Sequence, residues 1–253
     1  MNQAIFSQAI REFFRPKRIL WWVLFGVICG LLAKVWPQFQ PDISKDGQYT
    51  SVVAIFLFRM VALASAIMTA ASVSQEVEQR TIVYMLTRPI KRSSFILFRY
   101  LASVIVMIAI STFGLLCISF GCGLGVGNPQ LPRDILAVSF GAAGYGALFL
   151  FISLILNRSM LVCLLYAFAW ETAIPNLPGD LFYLSINTYI QGIAQHASTD
   201  ANRTVTLAGG MKSLSTLPTS TSLIALSVLA VSLVAISMVW FTKFEFVPRE
   251  DAE

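Results

Sequence analysis

Charged residues are scarce in this chain, making up 12% of its 253 residues against about 25% in an ordinary soluble domain. Hydrophobic residues reach 57%, and the mean hydropathy is +0.73. This composition excludes an ordinary soluble domain and predicts an all-α protein that crosses the lipid bilayer several times. The net charge of +5 then reports membrane topology, so we expect no nucleic-acid partner.

Histidine and cysteine are also scarce. The single histidine, His196, cannot build a metalloprotease or haem site, and the four cysteines all lie in apolar runs that favour small buried side chains. The glycine pair at 209–210 lacks the spacing of a phosphate-binding loop. No GxSxG motif with a histidine partner indicates a serine hydrolase. We therefore expect a chain that is not an enzyme, with no catalytic residue, metal or cofactor of its own.

Six apolar runs are each near the roughly 20 residues that cross the hydrocarbon core of a membrane. They predict spans at 19–36, 52–74, 95–121, 135–156, 159–174 and 221–241 within a single transmembrane domain, 1–253. Gly26 and Gly30 in the first span have the GxxxG spacing that lets two helices approach closely. Packing within the chain and packing between chains both remain open for this pair.

The basic residues fix a predicted topology. With both termini in the cytoplasm, the inner side of the inner (cytoplasmic) membrane carries most of them: Arg11, Arg15, Lys17, Arg18, Arg80, Arg88, Lys91, Arg92, Arg158, Lys243 and Arg249. Residues 1–16 then form an amphipathic helix on the inner surface. Residues 175–220 form a long outer loop that holds one short interfacial or re-entrant helix and offers a surface to an outer partner.

Two charges, Arg59 and Glu171, lie inside predicted spans. An unpaired charge at that depth costs several kcal/mol, so each should face a partner or water. We expect them to pair with each other or to line one hydrated cavity, which makes both candidates for a translocation path. The alternative is that Arg59 extends to the interface and that Glu171 lies close to it.

The most polar stretch between spans is the cytoplasmic segment 75–94. Two acids come first and an apolar strip follows them, before a proline and a basic cluster. Such a strip predicts a short helix that lies in the groove of a partner protein. The residues that carry this interpretation are Glu76, Glu78, Arg80, Thr81, Ile82, Met85, Leu86, Arg88, Pro89 and Arg92.

This segment resembles the permease subunits of ABC-2-type ABC transporters. The matching pattern is two acids, a Thr-Ile pair, Met85-Leu86, Thr87, Pro89 and Arg92. The general look is closest to the permease group that serves copper maturation of nitrous oxide reductase. Arg80 departs from the pattern, because the family usually has glycine there. The resemblance covers nearly the whole chain, including the long last outer loop.

The resemblance implies that two permease chains, identical or related, form the membrane unit. Two ATP-binding subunits, which hold the ATP and Mg²⁺, would dock on segment 75–94 and drive an exporter. One alternative is an envelope-remodelling partner that uses the same ATPase without transporting. Another is an ion-coupled carrier in which Glu171 titrates, and an intramembrane enzyme is a third. The substrate is not readable from these residues.

Overall fold

A computed structural model describes residues 16–38, 44–78, 92–156, 159–174, 183–196 and 217–243. The regular structure in these ranges is helical throughout, with no strand among them. Five of the helices are long and apolar enough to cross a membrane, which confirms a multi-pass helical membrane protein. The predicted amphipathic helix at 1–16 lies almost wholly outside the described residues.

The helices of the described ranges are listed in chain order: α1 (Pro16–Val35), α2 (Lys45–Val52), α3 (Phe58–Glu78), α4 (Arg92–Gly121), α5 (Leu131–Ile155), α6 (Ser159–Leu165), α7 (Glu171–Ala173), α8 (Ile186–Ala194) and α9 (Thr219–Lys243). Two π-helical turns continue α2 into α3 and α6 into α7, at Val53–Leu57 and Tyr166–Trp170. Short 3-10 turns follow α1 and α4, at Trp36–Gln38 and Gly125–Gly127.

Four predicted spans, the first, third, fourth and sixth, correspond closely to α1, α4, α5 and α9. The second is longer than predicted, because the helical stretch begins at Lys45 instead of residue 52. Its first turn is polar in sequence, but Ser44 caps it: the Ser44 hydroxyl accepts a hydrogen bond from the Gly47 N–H at 3.2 Å. Local capping therefore extends the helix beyond its apolar run.

Within the described residues, the fifth predicted span, 159–174, is shorter than the other five. Its helical part, Ser159–Ala173, is about 22 Å long at 1.5 Å per residue, whereas the hydrocarbon core is about 30 Å thick. Six spans are therefore not confirmed: the described residues hold five long apolar helices and one shorter apolar segment. Pro175 and Pro178 come next in the sequence, and proline cannot continue the hydrogen bonding of a helix.

Helix α5 is the centre of the bundle, since α3, α4, α6, α8 and α9 all pack against it. Its glycines allow close approach on three sides. Gly141 faces Ile190 of α8, Gly144 faces Leu226 of α9, and Gly146 faces α4. Small residues at helix crossings are how membrane helices gain packing contacts that lipid cannot provide.

The Gly26–Gly30 face of α1 packs against α4 within the same chain. A β-carbon at Gly26 would lie 3.2 Å from the Phe113 ring, and one at Gly30 would lie 2.8 Å from the Cys117 carbonyl oxygen. Gly121 approaches Gly30 in turn. The GxxxG spacing in the sequence therefore has a packing partner inside the chain.

We expect Gly141→Val to lower stability, because the added side chain would overlap Ile190 and push α8 away from α5. Overpacking of this kind costs about 1–3 kcal/mol. The measurement is the apparent Tm of the detergent-solubilised protein. Gly127→Ala is the control, since a β-carbon at Gly127 meets open space. Equal Tm values for the two variants would contradict the close packing of α8 on α5.

Candidate functional site

The predicted coupling residues lie mostly outside the described part of the chain. Residues 79–91 are not described, and they include Arg80, Thr81, Ile82, Met85, Leu86, Arg88 and Pro89. Glu76 and Glu78 belong to the last turn of α3, and Arg92 is the first residue of α4. The segment thus joins the ends of two long apolar helices.

Arg59 lies on the exposed surface of α3, within the apolar stretch Lys45–Thr69. Its guanidinium forms no ion pair or hydrogen bond with any residue of the described ranges, and Glu171 is not beside it. The structure therefore does not join the two intramembrane charges in an ion pair. Arg59 instead points away from its own bundle, two residues after the π-helical turn Val53–Leu57.

Glu171 is buried, with 5% of its surface exposed, and its carboxylate meets the start of α8. The Ser185 hydroxyl donates to Oε2 at 2.5 Å, the Ile186 N–H donates to Oε1 at 3.2 Å, and the Asn187 N–H donates to Oε2 at 3.3 Å. Free N–H groups and a positive dipole end make a helix N-terminus a natural site for an anion. The chain supplies that anion itself.

Aromatic side chains surround the Glu171 carboxylate. The Tyr145 hydroxyl faces it from the middle of α5 without the alignment of a hydrogen bond. Tyr166 lies near it on the π-helical turn, and the Tyr166 ring stacks on Trp170 with centroids 5.9 Å apart. Tyr145 also stacks on Phe149 at 5.8 Å. The buried carboxylate thus lies beside two tyrosine side chains, and its hydrogen bonds come from Ser185 and the start of α8.

A second buried acidic contact joins Asp134 to His196. His196 Nε2 lies 2.6 Å from Asp134 Oδ1, with the two side chains 5% and 0% exposed. The imidazole stacks on Phe58 with ring centroids 5.3 Å apart, and Tyr49 faces the carboxylate. Burial this deep requires the acid and the imidazole to satisfy each other.

These two contacts hold opposite ends of α8. Glu171 binds its N-terminus, and His196, two residues beyond Ala194, binds Asp134 in the first turn of α5. Gln195, between Ala194 and His196, has a left-handed backbone conformation with φ of 49° and ends the helix. Its side-chain amide donates to Thr219 at 2.7 Å and accepts from Arg133 at 3.3 Å.

Helix α8 lies inside the bundle, along one half of α5. Ile186 lies near Gly144 and Ile190 packs on Gly141, while His196 reaches Asp134. Both isoleucines are buried, and this burial favours the re-entrant placement of the predicted short helix over the interfacial one. The short segment α6–α7 follows α5 from its other end as far as Tyr145, so α8 continues where α7 stops.

Sequence reasoning identified Glu171 and missed its partners, and it missed Asp134 and His196 altogether. Both lie in segments that the sequence predicts to be outer loops. The available signal was the apolar spacing of Ile186, Ile190 and Ile193, which predicts a helix with one buried face. That pattern implies that residues next to the ends of the helix, such as His196, are also partly buried.

Comparison with known proteins adds no assignment: no family model matches the chain, and no curated protein matches it. Within the described ranges, no group of three or more histidine, cysteine, aspartate or glutamate side chains is placed to hold a metal ion.

Proposed function

We propose that the chain is the membrane-spanning permease subunit of an ATP-driven exporter of the ABC-2 type. In this proposal the chain itself binds no nucleotide. Two copies, or this chain with a related one, form the membrane unit in the inner membrane. A separate pair of ATP-binding subunits drives it through segment 75–94. The resemblance of that segment to ABC-2 permeases supports the proposal, and one structural observation carries it further.

That observation is the exposed position of Arg59. It lies near the middle of an apolar stretch that is long enough to cross a membrane, on a face where Ile55 and Ile67 are also exposed. A charge at such a depth is tolerated where it meets a partner or water and is costly against lipid. A second permease chain, or an aqueous path between the two chains, would meet this requirement.

The length of α3 supports a mechanical link between the two predicted sites. The helix is continuous from Phe58 to Glu78, a rise of about 30 Å, so one helix carries both Arg59 and the two acids of segment 75–94. An ATPase that moves the end of α3 would therefore move the helix that carries Arg59. In this proposal segment 75–94 receives the movement from the ATPase, and α3 transmits it to the region around Arg59.

We expect Glu76→Lys and Glu78→Lys to abolish substrate-dependent ATP hydrolysis by the complex while leaving membrane insertion intact. Charge reversal at the end of α3 would disturb docking of the ATPase on segment 75–94. The measurement is ATP hydrolysis by the complex purified from its native membrane, with and without a substrate extract. Asp46→Lys is the matched control, because Asp46 is an exposed acid at the opposite end of the α2–α3 helical stretch.

Two outcomes would contradict the permease proposal. The first is purification of the tagged wild-type chain, under mild solubilisation, without any ATP-hydrolysing partner. The second is unchanged hydrolysis in both glutamate variants. Loss of hydrolysis in Asp46→Lys as well would indicate a general effect of charge reversal, so the coupling role of α3 would fail in that case too.

A second candidate function, an ion-coupled carrier, is favoured by the buried position of Glu171. Its carboxylate lies where one short helical segment ends and another begins, which is the arrangement that carriers use for coupling ions. The discriminating measurement is pH-gradient dissipation in liposomes that contain the chain alone. Proton flux in the wild type that Glu171→Gln abolishes would support the carrier. Absence of flux would favour the permease or the envelope-remodelling partner.

A further inference from the structure

We propose that α8 is a movable plug, which leaves its slot in the bundle as one unit and is held closed by two contacts. The N-terminal contact joins Glu171 to Ser185 and the first N–H groups of α8, and the C-terminal contact joins Asp134 to His196. This inference goes beyond the permease assignment, because it concerns how the bundle opens whatever energy source drives it.

The interface between α8 and the rest of the bundle is polar as well as buried. Four buried polar atoms along it lack a hydrogen-bond partner among the described residues. They are Asp134 Oδ2, His196 Nδ1, Asn187 Oδ1 and Ser222 Oγ, the last of which faces Gly192 of α8. Polar atoms without partners make a closed interface less favourable than its contacts suggest, and opening to water would satisfy them.

Helix α8 is also short and has little apolar packing to hold it in the bundle. The helix has 9 residues, and few turns of apolar packing secure it, since its buried aliphatic side chains are Ile186, Ile190, Ile193 and Ala194. The long helices α3, α4, α5 and α9 have 21 to 30 residues each. Local opening begins in elements with the fewest buried apolar contacts.

Movement of α8 would expose polar side chains beside α5. It fills one half of the length of α5, while the short segment α6–α7 fills the other half. Departure of α8 would uncover Asp134, Tyr145 and Glu171 along the half of α5 that α8 covers. A hydrated cavity with two carboxylates would then open beside α5, without any change in the five long helices.

Hydrogen exchange on the wild-type chain in lipid nanodiscs tests the proposal without a substitution. We expect backbone amides 186–194 of α8 to exchange at least about tenfold faster than amides 136–146 of α5, against which α8 packs. Equal protection of the two segments would overturn the proposal, because it would mean that α8 opens only with the whole bundle.

A labelling experiment tests the two contacts. Ile190 is fully buried against α5, so the thiol introduced by Ile190→Cys reacts with N-ethylmaleimide only when α8 leaves its slot. Combining it with Glu171→Gln or Asp134→Asn should raise the labelling rate about tenfold, since each replaces a carboxylate by a neutral amide and so weakens the hydrogen bonds that hold α8. Mass spectrometry identifies the labelled peptide, and the fully buried Cys29 and Cys163 serve as internal controls.

The exchanged pair, Asp134→His with His196→Asp, should return labelling at position 190 toward the parent rate, because it restores an acid and an imidazole in contact. An unchanged rate in Glu171→Gln and Asp134→Asn would overturn the holding role of the two contacts. An equal rise at Cys29 and Cys163 would also overturn it, because the whole bundle would then have loosened.

Discussion

Substitution of Glu171 by alanine is expected to lower the apparent Tm of the purified protein by about 10 °C. The change removes the acceptor for the Ser185 hydroxyl and for two backbone N–H groups at the start of α8. Hydrogen bonds to a charged group contribute about 1.5–3 kcal/mol each, and buried donors left without acceptors add a penalty. The cost of burying the carboxylate offsets part of this gain, so we expect a net loss of about 3–5 kcal/mol, which corresponds to that shift in a chain of this size.

The conservative variant Glu171→Gln separates shape from charge. Glutamine keeps an acceptor oxygen for the N-terminus of α8 but removes the negative charge that its dipole favours. We expect its Tm to fall less than half as far as that of Glu171→Ala. The contact with α8 would be refuted by a Glu171→Ala variant as stable as wild type, since nothing else in the described residues replaces the lost acceptor.

The apolar runs allowed most of the long helices to be predicted because their length depends on the membrane and little on tertiary contacts. A run such as the one in α4 must be helical to satisfy its backbone inside lipid. The exception is Ser159–Ala173, whose composition is that of a span although its described helix is shorter than the other five. Apolar composition indicates that a segment lies in the membrane, but it does not show at which residue the helix ends.

The partner of Glu171 could not be predicted for a different reason. The rule that intramembrane charges meet opposite charges favoured Arg59, the only cation with a similar predicted depth. The structure satisfies Glu171 with backbone N–H groups of α8 instead, and every helix start offers such groups. A sequence lists charged side chains but does not show which helix start reaches which carboxylate.

The Asp134–His196 contact joins residues that are 62 positions apart, so neither residue lies in a local pattern that reveals the other. Each has the look of a loop residue when taken alone. The two residues meet because α8 is buried, which brings His196 into the bundle beside the first turn of α5. Long-range polar contacts of this kind are decided by packing, which the sequence encodes only collectively.

The energetic weight of this contact can be measured with a double-mutant cycle. We expect Asp134→Leu and His196→Leu to destabilise the protein by about 3–5 kcal/mol each, because each leaves a buried polar partner unpaired. The double variant removes both groups and should cost clearly less than the sum of the two single changes. The measurement is reversible unfolding in mixed micelles, followed by circular dichroism.

The comparison within the cycle decides between a true pair and two independent burial effects. His196→Leu leaves a carboxylate that is 0% exposed without its imidazole, so it should be the more damaging single change. Phe58→Leu serves as the control for the stacked ring, since it removes an aromatic contact with His196 and leaves the polar pair in place. Additive losses would show that Asp134 and His196 do not stabilise each other. A coupling energy of about 2 kcal/mol or more would show that the end of α8 is fixed by this contact.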